Sequence, residues 1–186
     1  MAVKTMAKNT GTGQYNAGWH ELTISKAVDG KWNDKITIDL NFENYPDQMR
    51  HRVFEASNKT TGEEFKIANL FRFANAGIIS VLQDPTGKNP VIQYDDEVTN
   101  LVGTRVNVLF VKETSTTDGK EYSRTFDLVP VVQETEHLTW TDDDVARLKK
   151  NVERQHAKRT ATTTNGVGTI NLDTTTTVTG DAEIPF

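Results

Sequence analysis

The chain has 186 residues, no cysteine, 35% apolar residues and a formal net charge of −5. The absence of cysteine excludes disulfides and thiolate metal sites, and no run approaches the roughly 20 apolar residues of a membrane-spanning helix. An apolar content this low for the length predicts one packed domain with unpacked appendages.

Met1–Thr10 carries lysines but no apolar run, so no secretory signal is expected there. Residues 1–14 read as a flexible opening segment, and residues 15–135 as the folded domain. In Trp19–Val28, Leu22, Ile24 and Val28 fall on one face, and Asp29-Gly30 predicts a hairpin turn. Trp32–Phe42 alternates more cleanly. Ile36, Ile38, Leu40 and Phe42 share one face, while Lys35, Thr37, Asp39 and Asn41 share the other. Asn44–Asp47 reads as a turn and Gln48–Ala56 as a third strand, which completes an antiparallel meander. The period then becomes helical over Glu63–Ala76, with Glu63 and Glu64 favouring its start and Gly77 its stop. Ile78–Leu82 is a short apolar run of open type, and 84–90 a loop. Strands return at Thr104–Lys112, where Val106, Val108 and Phe110 alternate, and at Tyr122–Val132, with the loop Thr114–Lys120 between them.

Three strands, a helix and two strands is the order of a five-stranded OB-type barrel with a helix between strands 3 and 4. Other α+β arrangements share that order. Thr141 with Asp142, Asp143 and Asp144 forms a helix start, with Asp144 at the capping-box position and Trp140 placed to staple onto Val145. A basic helix is expected over 140–160, running to about Lys158. Its apolar stripe is narrow (Val145, Leu148, Val152), so it lies lightly on the domain or projects from it. From Ala161 the chain is Thr-, Asn- and Gly-rich and is expected to be disordered.

Charge is unevenly spread. Residues 161–186 hold no base and three acids, and the rest of the chain carries 23 acids against 21 bases. Val145–Thr160 places Arg147, Lys149, Lys150, Arg154, Lys158 and Arg159 against Glu153 alone. Such polarity suits a polyanion partner. The sequence ends Asp181-Ala182-Glu183-Ile184-Pro185-Phe186, an apolar pair held extended by proline beside two acids. This pattern fits capture in a basic-rimmed apolar pocket. It resembles the tail tips of bacterial single-stranded DNA-binding proteins, which end in the same Ile-Pro-Phe. Ala17–Ile24, Ala74–Ile78 and Leu101–Val106 resemble stretches of phage-encoded single-stranded DNA-binding proteins. The resemblance implies coating of single strands in phage DNA replication or recombination, in a host cytoplasm. It also implies that the tip docks replication or recombination proteins.

Single-strand binding requires a cationic track and flat rings on which bases stack. If Met49, His51 and Val53 point inward, Arg50, Arg52 and Phe54 line the outer face, with Lys35 and Thr37 opposite. Trp32 beside Lys31 at a hairpin tip, and Tyr122 between Lys120 and Arg124, are the best exposed rings. Trp19, Tyr45 and Tyr94 are further aromatic candidates, with a core role favoured for Trp19 and Tyr94. Asp39 and Glu43 read as ordinary solvated acids. The four histidines are dispersed, Thr86-Gly87-Lys88 lacks the upstream glycine of a phosphate loop, and no nucleophile elbow occurs. No enzyme activity, cofactor, metal or membrane partner is expected, and oligomeric state stays open. The rival expectations are a virion or assembly protein using the barrel for subunit contacts, and a nuclease or annealing accessory.

Overall fold

The computed structural model describes residues 15–82 and 90–164. The opening segment 1–14, most of the loop 84–90, and the tail with its tip (Asp181, Glu183, Ile184, Pro185, Phe186) lie outside them. The main-chain elements are β1 (Gly18–Trp32), β2 (Lys35–Phe42), β3 (His51–Phe54), α1 (Lys66–Ala74), β4 (Ile78–Leu82), β5 (Val91–Tyr94), β6 (Arg105–Thr114), β7 (Glu121–Pro130), β8 (Gln133–Glu134), β9 (Thr139–Trp140) and α2 (Asp142–Thr164). The chain is mainly β. Five strands form one antiparallel sheet in the order β3-β2-β1-β6-β7, while β4-β5 and β8-β9 are separate two-stranded hairpins. No described helix is long and apolar enough to cross a membrane.

The five-stranded sheet does not close into a barrel, which corrects the expectation of a five-stranded OB-type barrel. β3 has only four residues and follows a single 3-10 turn at Asp47–Met49, so it presents little backbone for a further ladder. Its seam with β7 is instead made by a side chain: Thr125 Oγ1 donates to the Arg50 carbonyl at 3.1 Å. The apolar ladder residues of β1, β2 and β6, including Ile24, Leu40, Val106 and Phe110, face α1, whose Leu70 and Phe71 are almost fully buried. Glu64 fixes the start of α1 by accepting from the Ile67 and Ala68 N–H groups at 2.8 and 3.0 Å.

The first hairpin turns later than expected. β1 runs straight through Asp29-Gly30, and the turn falls at Asn33-Asp34, both with positive φ. Asn and Asp tolerate the left-handed region that a two-residue hairpin needs. Trp32 therefore ends β1, opposite Lys35, rather than beginning β2. A bulge between Ile24 and Lys26 adds one residue to β1 and reverses its alternation. Leu22 and Ile24 are core, but Val28 is thrown to the outside at 42% exposure.

The helix α1 is also stopped differently. Asn75, not Gly77, takes the left-handed position after it, with φ 51°. Gly77 is needed for another reason: at φ +63°, a Cβ there would stand 2.3 Å from the Asp95 carbonyl oxygen.

On the far side of the sheet, Leu109, Val111 and Val129 form a second cluster with Val152, and Leu148, Trp19 and Phe126 pack around it. α2 thus docks on β6 and β7. Thr141 and Asp144 exchange the capping-box bonds at its start. Trp140, buried ahead of that cap, reaches α1: its ring lies edge-on to Phe73 and beneath Arg72.

Candidate nucleic-acid interface

Residues paired across an antiparallel ladder project to the same face. The register therefore assembles one outer surface from three strands. Val28 faces Asp39 and Arg52, Gly30 faces Thr37 and Phe54, Trp32 faces Lys35, and Lys26 faces Asn41. Met49, His51 and Val53 are buried beneath it, and Arg50 is exposed beside it. The predicted division of the third strand holds residue by residue. Trp32 and Phe54 remain open to solvent at 54% and 40%. Thr37 alone is covered (4%), with the Phe54 ring next to it on β3.

The cations of this surface are organised by one carboxylate. Arg52 grips Asp39 with both arms, Nε to Oδ1 at 2.6 Å and Nη2 to Oδ2 at 2.7 Å, and Arg50 Nε lies 3.5 Å from Oδ2. The Arg52 fork holds the Asp39 carboxyl below its ordinary value of 3.8, against the opposing effect of burial. Bidentate, charge-assisted contacts of this kind are the strongest and most directional available to arginine. The same guanidinium lies 5.5 Å from the Trp32 ring centroid, within cation–π range. Trp32 is thereby braced on one face while half its surface stays exposed. Lys26, Lys35, Arg50 and Arg52 against Asp39 and Asp47, which accepts from Asn41 at 3.0 Å, leave this surface cationic in a chain that is acidic as a whole.

Asp39 is the residue that sequence reasoning misjudged. The available signal was its position on the outer face of a strand next to the arginine-bearing one. Lys31, by contrast, does not join the surface. Strand alternation turns it with Ile36 to the opposite face from Trp32 and Lys35.

The residues of the β6–β7 hairpin form a second patch. The Tyr122 hydroxyl donates to Asp118 Oδ2 at 2.6 Å, which fixes the ring against the loop while leaving it 37% exposed. That shared bond lowers the Asp118 carboxyl and raises the Tyr122 hydroxyl. Lys120 is exposed at the loop end, where its N–H donates to Asp118 Oδ1 at 3.1 Å. Arg124 is exposed and pairs with Glu113 at 3.0 Å. The two patches meet at the seam, where Thr125, next to Arg124, bonds the backbone of Arg50.

The remaining aromatic candidates are engaged elsewhere. Tyr45 packs on Tyr15 and Phe110, and Tyr94 on Phe71. Trp19 lies under α2, with Lys149 over its ring and its Nε1–H donating to Glu153 at 2.7 Å. No protein-family model matches this sequence, and no curated protein matches it.

Proposed function

We propose that the chain binds single-stranded DNA without reading its sequence, on an OB-type scaffold. The carrying observation is the outer face of β1–β3, where exposed Trp32 and Phe54 alternate with Arg50, Arg52, Lys26 and Lys35. Rings offer stacking that every base can use, and cations offer sequence-independent phosphate contact. The scaffold reading is supported by the sheet order, in which the first strand pairs with both the second and β6, and by α1 following β3. OB folds bind oligonucleotides on strands 2 and 3 and on the two flanking hairpin loops. Here the corresponding positions carry Arg50, Arg52 and Phe54, with Trp32 at one loop and Lys120, Tyr122 and Arg124 at the other. On this reading, the resemblance to phage-encoded proteins supports a role in replication or recombination, with the 181–186 segment recruiting partner proteins.

A second reading, a subunit-contact protein, is favoured by the β4–β5 hairpin, which exposes Ile79 (61%), Leu82 (49%) and Val91 (51%). Fluorescence anisotropy of labelled oligo-dT, titrated with protein at several salt concentrations, separates the two. The proposal expects saturable binding that weakens steeply with salt. Absence of saturable binding at low salt overturns it.

A further inference from the structure

We infer that the outward face of α2 is a second phosphate track, contiguous with the β7 patch, along which the same single strand continues after leaving the sheet. The inference rests on the proposed single-strand binding and extends it. At 3.6 residues per turn, Arg147, Lys150, Arg154 and Lys158 fall within a sector of roughly 80°, on the side opposite the packed row of Leu148 and Val152. All four are exposed.

Asp143 in the first turn of α2 falls on this row, but beyond that turn the other charges of the helix are sorted away from it. Lys149 and Arg159 lie over the rings of Trp19 and Phe126, and Glu153, the one acid of residues 145–160, accepts from Trp19 on the flank toward β1. Arg147 pairs with Asp144. No carboxylate pairs with Lys150 or Arg154 among the described residues, and Arg154 makes only a 3.3 Å bond to Asn151.

Continuity with the sheet comes from Phe126. His156 sits edge-on to its ring and Arg159 lies over it. Arg124 lies two residues earlier on the same strand face, about 7 Å along β7. Cationic side chains therefore run from Arg52 and Arg50, across the Thr125 seam to Arg124, which pairs with Glu113, and on to Arg159 at the packed side of the last turns of α2, next in sequence to Lys158 at the end of the outward row. The occupant is a polyanion by charge complementarity, and one already bound at the adjoining patch is the nearest.

The test compares the full chain with a Lys150→Ala/Arg154→Ala variant and a charge-preserving Lys150→Arg/Arg154→Lys variant, using oligo-dT of increasing length. Losing two phosphate contacts should reduce the slope of log K against log salt by about 1.4, and lower affinity for long oligonucleotides about tenfold or more near 0.1 M salt. The charge-preserving variant should keep the parental slope. Short oligonucleotides that cover only the sheet should bind the parent and both variants alike. If the parent binds oligo-dT with a steep salt dependence and the alanine variant matches it at every length, the helix track is overturned while the sheet site stands. If the parent fails to bind at all, the underlying reading falls and the track with it. Should thermal melts show the double variant unfolded, the single variants Lys150→Ala and Arg154→Ala serve instead, each expected to lower the slope by about 0.7.

Discussion

Thr125 on β7 donates its hydroxyl to the carbonyl of Arg50, the residue just before β3, and this 3.1 Å bond ties together the two edges of an otherwise open sheet. It also fixes where Arg50 stands relative to Arg124. Thr125→Val keeps the shape and removes the donor, which leaves the carbonyl without this partner. A loss of about 1 kcal/mol in denaturant melts is expected, with weaker oligo-dT binding as the patches lose register. Unchanged stability and unchanged affinity would show the seam to be incidental.

Asp39 restrains the arginines as well as ordering them. It holds Arg52 in a fork and draws Arg50, so under the proposed function a phosphate competes with a carboxylate already in place. Asp39→Asn should raise oligo-dT affinity at low salt and steepen the salt slope by about 0.7, the value of one additional phosphate contact on a single strand. Weaker binding in a variant that melts normally would mean that orientation by Asp39 outweighs its neutralising charge.

His51 gives the fold a pH dependence of defined sign. It is buried beneath the cationic face, and that burial pushes its imidazole from 6.5 down to about 4, more strongly than Asp127 and Asp39 pull it up. The unfolded chain therefore binds a proton that the folded one refuses. This contribution to stability is complete above pH 6.5, declines as pH falls toward 4, and is constant below. It amounts to about 2 kcal/mol between pH 7 and pH 5. Asp39, Asp118 and Asp144, all held below the ordinary carboxylate value, lose their contributions at lower pH. In urea melts at pH 7 and 5, His51→Leu should shrink the stability difference by about that amount. An equal difference in both proteins would remove His51 as the cause.

Gly77 links α1 to the β4–β5 hairpin at a point where no side chain fits. Gly77→Ala combines a left-handed backbone with a contact of 2.3 Å to the Asp95 carbonyl oxygen. A destabilisation of about 2–4 kcal/mol is expected from strain and overpacking together. A variant that melts like the parent would contradict the close approach.

The sequence made some of this legible and concealed the rest for physical reasons. Period-two alternation is enough to place Met49, His51 and Val53 inside and Arg50, Arg52 and Phe54 outside, because one face of β3 is buried. Thr141 and Asp144 are readable because a capping box is a local device. The bulge after Ile24 left no local mark, and one extra residue carried Val28 and Lys26 to the outer face. Asp29-Gly30 carries stronger turn chemistry than Asn33-Asp34, yet the pairing of eight β2 residues placed the hairpin at the latter. Asp39 could be recognised only once β2 and β3 were in register. The docking of α2 did have a signal: Leu109 and Val111 make the second face of β6 apolar, and that face required a cover.

The most direct test of the account is Trp32 itself. Among the chain's three tryptophans, Trp140 is buried and Trp19 is held under α2, so Trp32 should report bound bases almost alone. Titrating the parent and Trp32→Phe with oligo-dT, following both tryptophan quenching and anisotropy of the labelled strand, separates signal from affinity. The account predicts strong saturable quenching in the parent and its near-complete loss in Trp32→Phe, with affinity reduced by at most about 1–3 kcal/mol. Equal quenching in both proteins would mean that the strand lies elsewhere.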